Sequence, residues 1–115
     1  LISLGGTASV ESFGTATGTR PDQRRFRLNI MLHTDIPFVE NALVGKTVRL
    51  GDAELRVVAP VGRCAAIDVD PETAVRGPHC LPVMEQAFGH TDLGIFAEVL
   101  TGGQINTGDN LVIID

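Results

Sequence analysis

The sequence contains no tryptophan and no tyrosine, and its five phenylalanines are its only large aromatic residues. Proteins that read nucleic acids combine aromatic stacking platforms with clustered positive charge. This chain instead carries a formal net charge of -5 at pH 7. We therefore expect no nucleic-acid partner.

Cysteine is also scarce, since Cys64 and Cys80 are the only two. Two cysteines do not make the dense disulfide framework of a small secreted domain, so a reducing compartment and a cytoplasmic location are expected. No apolar run approaches the roughly 20 residues that cross a bilayer, so no membrane association is expected. The 115 residues suit one domain spanning 1–115, and the start at Leu1, without a leader-like segment, suggests a fragment boundary.

The clearest periodic pattern lies early in the chain. Apolar side chains at every second position from Phe26 to Leu32 alternate with Arg25, Arg27 and Asn29. This period of two predicts a β-strand with one buried face and with both arginines and the asparagine on the other face.

Turn residues and apolar runs predict the other elements. These are a short helix over 9–17, a hairpin of strands 48–50 and 55–59, a strand beginning near 64 and ended by 70–71, a helical segment over 83–88, a long apolar run over 93–100, and short strands at 104–106 and 111–114. Thirteen glycines and many short strands favour a mainly β, barrel-like domain with one or two short helices.

Cys64 is the residue with the clearest chemical potential. It follows Arg63 directly, and a neighbouring guanidinium favours the thiolate, the form that attacks electrophiles and binds soft metals. In an extended strand Asp68 would share a face with Cys64, and its carboxylate would oppose the effect of Arg63. The alternative is that Cys64 is simply a small buried hydrophobic residue.

Positive charge is concentrated in one short segment. Arg20, Arg24, Arg25 and Arg27 are four of the nine basic residues and lie within eight positions. Such local charge in an acidic protein favours an anionic ligand. The alternative is a solvated strand face next to Asp22.

Other kinds of site have less support. Cys64, His79, Cys80 and His90 could be combined into a zinc site, but no C-x-x-C spacing is present and we expect ordinary loop residues. No serine lies in a Gly-x-Ser-x-Gly elbow, so the sequence does not support hydrolase chemistry.

Several short segments occur along the chain in a fixed order. They are Arg25-Phe26-Arg27-Leu28-Asn29-Ile30, Val44-Gly45-Lys46-Thr47-Val48-Arg49-Leu50-Gly51, Arg63-Cys64, Val69-Asp70-Pro71-Glu72-Thr73, Phe88-Gly89-His90, Ala97-Glu98-Val99 and Gly102-Gly103. In this order and spacing the chain resembles the MOSC domain, the module found at the C-terminus of molybdenum-cofactor sulfurases and in amidoxime-reducing molybdoenzymes. The resemblance spans nearly the whole chain and implies a MOSC-type β-barrel.

The resemblance implies a molybdenum–molybdopterin cofactor. By family pattern Cys64 would ligate molybdenum and act as the catalytic thiolate, while Arg27 and Asn29 would hold the anionic pterin. Arg25 and Arg63 are further candidate anion contacts. An arginine fork suits a phosphate, and a thiolate is a suitable soft ligand.

Three functions remain open on this resemblance. The first is a molybdenum-dependent oxidoreductase that acts on small N-oxygenated substrates and receives electrons from a partner protein. The second is a sulfur carrier in which Cys64 holds a persulfide received from a cysteine desulfurase that contains pyridoxal phosphate. The third is a non-catalytic accessory domain.

The sequence departs from the family in two places. Asp68 stands where relatives commonly carry threonine or asparagine, and we include it among the candidate cofactor contacts because it could accept from a pterin N–H. In the reductases an N-terminal β domain helps to enclose the cofactor, and we expect this sequence, which starts at Leu1, to be a fragment without that domain. Pyridoxal phosphate would belong to a partner, because a Schiff base needs a lysine and Lys46, the only one, is expected in a turn.

Overall fold

The computed structural model describes all 115 residues, and six strands form a single sheet in the order β2-β1-β5-β4-β3-β6. Two helices complete the fold. The elements are β1 (Ile2–Gly6), α1 (Thr7–Thr17), β2 (Ile30–Leu32), β3 (Thr47–Leu50), β4 (Ala53–Gly62), α2 (Cys80–Phe88), β5 (Asp92–Thr101) and β6 (Leu111–Ile113). The prediction of a mainly β fold with short helices is confirmed.

The centre of the sheet is the long antiparallel pair of β4 and β5, which carries register shifts at three places. Such irregularities bend a strand and increase its twist. The sheet curls into a half-barrel, so that Leu32 in the edge strand β2 and Leu111 in the edge strand β6 line one cavity. The inner face buries one apolar cluster: Leu4, Val48, Leu50, Ala53, Leu55, Val57, Ile95 and Ala97.

A second apolar cluster lies where the helices cover one end of the sheet. It contains Val10, Phe13, Phe26, Ile67, Cys80, Met84 and Leu93. The rings of Phe13 and Phe26 meet edge to face, with centroids 4.9 Å apart. Phe26 therefore anchors the segment before β2 to helix α1, which fixes the arginines on either side of it.

At the N-termini of both helices, buried carboxylates from other segments of the chain accept hydrogen bonds from backbone N–H groups. Glu40 accepts from the Gly6 backbone N–H at 2.7 Å and from the Ser9 hydroxyl at 2.8 Å, at the start of α1. Asp68 accepts from the Cys80 backbone N–H at 2.9 Å, at the start of α2. Both side chains are 2% exposed. A negative charge at this end also complements the helix dipole.

Several predicted elements are confirmed. Helix α1 ends at Gly18, which adopts the left-handed conformation common at helix C-termini. The hairpin of β3 and β4 turns at 51–52, β5 contains the apolar run over 93–100, and β6 lies within the predicted strand 111–114. Helix α2 begins three residues before the predicted start, because Pro82 is tolerated in its first turn.

Three strand predictions were wrong. The segment 25–32 is extended only from Ile30, because a 3₁₀ turn over Gln23–Phe26 buries both Arg25 and Phe26 on the same side. The segment after Cys64 is a 3₁₀ turn over Ala65–Asp68, which buries Ile67 and Asp68. Residues 104–106 form no strand. In the first two cases tertiary burial overrides local alternation.

Neither helix is both long and apolar enough to pass through a membrane.

Candidate functional site

Cys64 lies immediately beyond the end of β4 and is exposed. The last backbone hydrogen bond at this end of the strand is donated by the Arg63 N–H to the Thr91 carbonyl, at 2.9 Å. The Cys64 carbonyl then accepts from Ile67 in the 3₁₀ turn. The thiol therefore sits at a strand-to-turn corner that solvent can reach.

Cys64 shares a pocket of about 320 Å³ with three arginines, and this pocket is the candidate site. Its lining residues are Arg25, Phe26, Arg27, Gly62, Arg63, Cys64, Ala66 and Ile67. The volume is at the small end of the range for ligand pockets, about 300–1,000 Å³. No carboxylate lines it, so the only fixed charges in its wall are positive.

The arginines of this chain fall into two groups. The five outside the pocket each lie within 4.0 Å of a carboxylate oxygen: Arg20, Arg24, Arg49, Arg56 and Arg76. The three that line it, Arg25, Arg27 and Arg63, form no ion pair. The fold thus gathers its unneutralised guanidinium groups around Cys64, although the whole chain is acidic.

Arg25 is the most buried of the three, with 9% of its surface exposed. Its Nη1 donates to the carbonyl oxygens of Ile67 at 2.9 Å and Val69 at 3.1 Å, which ties the 3₁₀ turn before β2 to the turn after Cys64. Its buried Nε has no hydrogen-bond partner. Buried donors are nearly always paired, so this free N–H is a candidate ligand contact.

Arg63 is held by backbone carbonyl groups on two sides. Its Nε and Nη2 both donate to the Leu93 carbonyl, at 2.9 and 2.6 Å, and its Nη1 donates to the Phe26 carbonyl at 2.9 Å. The guanidinium also lies 5.3 Å from the centre of the Phe26 ring. Burial lowers the pKa of Arg63, while negative charge on Cys64 would raise it. Arg63 therefore supplies positive charge to the pocket while most of its donors are occupied.

Arg27 has the freest guanidinium of the site. Its side chain makes no hydrogen bond or ion pair, and the residue is exposed. Its backbone has φ 53, in the left-handed region that non-glycine residues seldom adopt. Such conformations concentrate at functional sites because the surrounding structure must enforce them.

Two predicted site residues lie outside the pocket. The Asn29 side-chain oxygen accepts from the Ser3 backbone N–H at 2.7 Å and from its hydroxyl at 3.1 Å, so Asn29 extends the pairing of β1. Asp68 does not share a face with Cys64, because the 3₁₀ turn directs its carboxylate inward to Cys80. Its other oxygen lies 3.7 Å from Arg76 and 3.6 Å from His79.

The second cysteine has a different environment. Cys80 is fully buried, and its Sγ donates to the Pro78 carbonyl at 3.4 Å. Burial, with the nearby Asp68 carboxylate, raises the pKa of Cys80 to about 11. The structure brings no three His, Cys, Asp or Glu side chains together as a metal cluster.

Gly94 does not line the pocket, but it lies near Arg63 on β5 and its role was not predicted from the sequence. It has φ 91, and a Cβ there would stand 2.8 Å from the Leu28 side chain, 3.1 Å from the Leu4 carbonyl and 3.4 Å from Arg63 Nη2. A side chain here would therefore crowd Leu28 and the Leu4 carbonyl, whereas its distance from Arg63 would be that of an ordinary contact. A glycine inside an apolar strand pattern is the signal that could have identified it.

A larger cavity, of about 920 Å³, lies between the edge strands β2 and β6. Asn29 lines it, but no lysine, arginine or cysteine does. The smaller pocket is therefore the better candidate site, because it combines a nucleophile with positive charge. Such a pocket can bind an anion and present a thiolate to it, either as a nucleophile or as a ligand for a soft metal.

Comparison with known proteins agrees with this fold. Residues 2–112 match the family model of the MOSC domain. The molybdenum cofactor sulfurase of Drosophila grimshawi is 29% identical over 113 residues, which cover 93% of this chain and 14% of that protein. The chain thus spans only a small part of that relative. The crystal structure of YiiM from Geobacillus stearothermophilus superposes with a TM-score of 0.72 at 21% identity, over 99% of this chain and 54% of that one.

Proposed function

This chain belongs to the MOSC domain family, and we propose that its Cys64 pocket binds the molybdenum–molybdopterin cofactor with Cys64 as the molybdenum ligand. The observation that supports the proposal most directly is the gathering of Cys64 with the three unpaired arginines. A cofactor of this kind combines an anionic phosphate with a metal that thiolates bind, so each half finds a suitable partner in the pocket wall.

Each residue of the pocket has a proposed role. Arg27, whose five donors are free, would bind the phosphate through a fork, and the unpaired Nε of Arg25 would donate to the same anion. Arg63 would add positive charge without a direct fork, since three of its five donors are used by carbonyl groups. Asn29 and Asp68 are left out of this set because their oxygens already accept hydrogen bonds within the fold.

The bound metal centre would supply two-electron redox chemistry for the reduction of small N-oxygenated substrates. The chain's own contribution would be to hold the metal through Cys64 and to orient the anionic end of the cofactor through Arg27. A partner protein would deliver the electrons.

A second candidate is a sulfur carrier, which is favoured by the exposure of Cys64 and by the name of the curated relative. In this function the Cys64 thiolate attacks the terminal sulfur of a persulfide on a cysteine desulfurase. A new S–S bond forms at Cys64, and the desulfurase cysteine leaves as a thiolate. Pyridoxal phosphate would belong to the desulfurase, since the only lysine here, Lys46, is exposed and outside the pocket.

Metal analysis tests the proposal. The protein is purified from a host that makes the cofactor, beside Cys64→Ala, Arg27→Gln and the matched control Arg56→Gln, which changes an exposed arginine on β4. We expect molybdenum in the parent and the control, and a loss of most of it in the other two variants. If the parent holds no molybdenum, the cofactor proposal is wrong. Sulfur transferred by a desulfurase to Cys64 would then support the sulfur carrier. If the protein holds no molybdenum and accepts no sulfur, the accessory domain is the function that remains.

A further inference from the structure

We propose that Cys64 is a site of reversible S-thiolation that selects disulfides carrying carboxylate groups. The inference rests on the pocket of the proposed function but not on the presence of molybdenum. A mixed disulfide at Cys64 would remove the thiolate that either proposed function needs. The pocket would then act as a redox-controlled site that a thiol reductant restores.

Access separates the two cysteines of the chain. Cys64 is exposed at a strand-to-turn corner, whereas Cys80 is fully buried at the start of helix α2. A disulfide in solution can therefore reach only Cys64 in the folded protein. Modification of the native chain should stop at one group per molecule.

The selection comes from charge. The three arginines that line the pocket have no carboxylate partner, whereas each of the other five arginines is neutralised by one. Arg25, which lines the pocket and has 9% of its surface exposed, also keeps an Nε without a hydrogen-bond partner, so the wall holds an unsatisfied buried donor. Fixed positive charge around a reacting group raises the local concentration of anionic reagents and repels cationic ones.

The chemistry is thiol–disulfide exchange, and it balances without another oxidant. The Cys64 thiolate attacks one sulfur of the disulfide, and an S–S bond to Cys64 forms. The original S–S bond breaks, and its other half leaves as a thiolate. The disulfide is reduced as Cys64 is oxidised. The guanidinium groups favour both the approach of an anionic disulfide and the departure of an anionic thiolate.

Three simple alkyl disulfides of different charge provide the probes. These are 3,3′-dithiodipropionate, a dianion; 2-hydroxyethyl disulfide, which is neutral; and cystamine, a dication. Second-order rate constants for metal-free protein are measured by intact mass spectrometry and divided by those for N-acetylcysteinamide, which cancels the intrinsic reactivity of each disulfide. We expect the normalised rate for the dianion to exceed that for the dication by about tenfold or more at low ionic strength. The ratio should fall toward one in 0.5 M salt.

Variants identify the source of the selection. Arg27→Gln should lower the dianion-to-dication ratio several-fold, Arg27→Lys should restore most of it, and Arg56→Gln should leave it unchanged. Cys64→Ser should take up no label while folded. Equal normalised rates for the three probes, a preference for cystamine, or labelling of native Cys80 would overturn the proposal.

This test can fail separately from the metal analysis. A molybdenum-free parent that still prefers the dianion would retain the thiolation site and reject the cofactor. A molybdenum-loaded parent whose metal-free form shows no charge preference would retain the cofactor proposal and reject the selective thiolation site.

Discussion

Arg63 donates two hydrogen bonds to the carbonyl oxygen of Leu93, from Nε at 2.9 Å and from Nη2 at 2.6 Å. A third bond, from Nη1, reaches the Phe26 carbonyl. One side chain therefore joins the end of β4, strand β5 and the arginine-bearing turn before β2. We call these three hydrogen bonds the Arg63 clamp. Because Cys64 is the next residue, the clamp also fixes the strand-to-turn corner that carries the thiol.

Replacing Arg63 by methionine keeps the aliphatic stem and removes the three donors. We expect a loss of about 3 kcal/mol in the free energy of unfolding, since a hydrogen bond to a charged group contributes about 1.5–3 kcal/mol and the site is partly open to water. Urea denaturation measures the change. Arg56→Met on the same strand, at an exposed position, should change stability by less than about 0.5 kcal/mol. Equal effects of the two substitutions would mean that the clamp contributes nothing.

Gly94 follows Leu93, whose carbonyl accepts from Arg63, and Gly94→Ala should also destabilise the fold. The positive φ and the close approach of the Leu4 carbonyl predict a cost of about 1–3 kcal/mol. Gly102→Ala serves as the control, because no atom lies within 4 Å of a Cβ built there. Thermal unfolding of both variants measures the difference. An alanine tolerated at both positions would contradict the stated geometry.

Glu40 is predicted to be the most important single cap of helix α1. Glu40→Ala leaves the buried Gly6 N–H without its acceptor and removes the partner of the Ser9 hydroxyl, at a cost of about 3 kcal/mol. Glu40→Gln, which keeps one acceptor oxygen, should cost less. The exposed Glu11 on the same helix is the control, and Glu11→Ala should be nearly neutral. Urea denaturation with hydrogen exchange at the first turn of α1 distinguishes local fraying from global loss.

The buried thiol of Cys80 predicts a loss of stability in alkali. Burial raises its pKa from 9.0 to about 11, so between these values the folded protein binds the proton more tightly than the unfolded chain does. The contribution is complete below pH 9 and is lost as the pH rises toward 11. Denaturation midpoints measured from pH 8 to 11 should fall, and they should fall less in Cys80→Ala. The absence of tyrosine removes one kind of group that would otherwise titrate in this window. A parent and variant with parallel profiles would contradict the assignment.

The sequence predicted the strands of the sheet better than the two 3₁₀ turns that carry the site residues. Apolar alternation predicted the hairpin of β3 and β4, and a long apolar run marked the position of β5, because those strands bury one face in the main core. The same alternation gave the wrong structure for Arg25 and Phe26, which are adjacent and both buried. The structure can bury the pair because Arg25 finds carbonyl acceptors on a turn about 40 residues further along the chain. No local pattern reports such a contact.

The site was predicted in composition and only partly in arrangement. Cys64, Arg25, Arg27 and Arg63 do share one pocket, as their positive charge and the family pattern suggested. Asp68 turned inward because the buried start of helix α2 needs an acceptor, and Asn29 turned toward Ser3 because β1 needs one. Unsatisfied backbone groups decided both outcomes, and a sequence does not show which groups those will be.

The most direct test of the account is the sulfur coordination of molybdenum in the loaded protein, measured by X-ray absorption at the molybdenum edge. If Cys64 ligates the metal, the parent should show one more sulfur neighbour than Cys64→Ser, which can offer only an oxygen. The Cys80→Ala protein should match the parent. An identical sulfur count in the parent and in Cys64→Ser would contradict the role of Cys64 as the metal ligand.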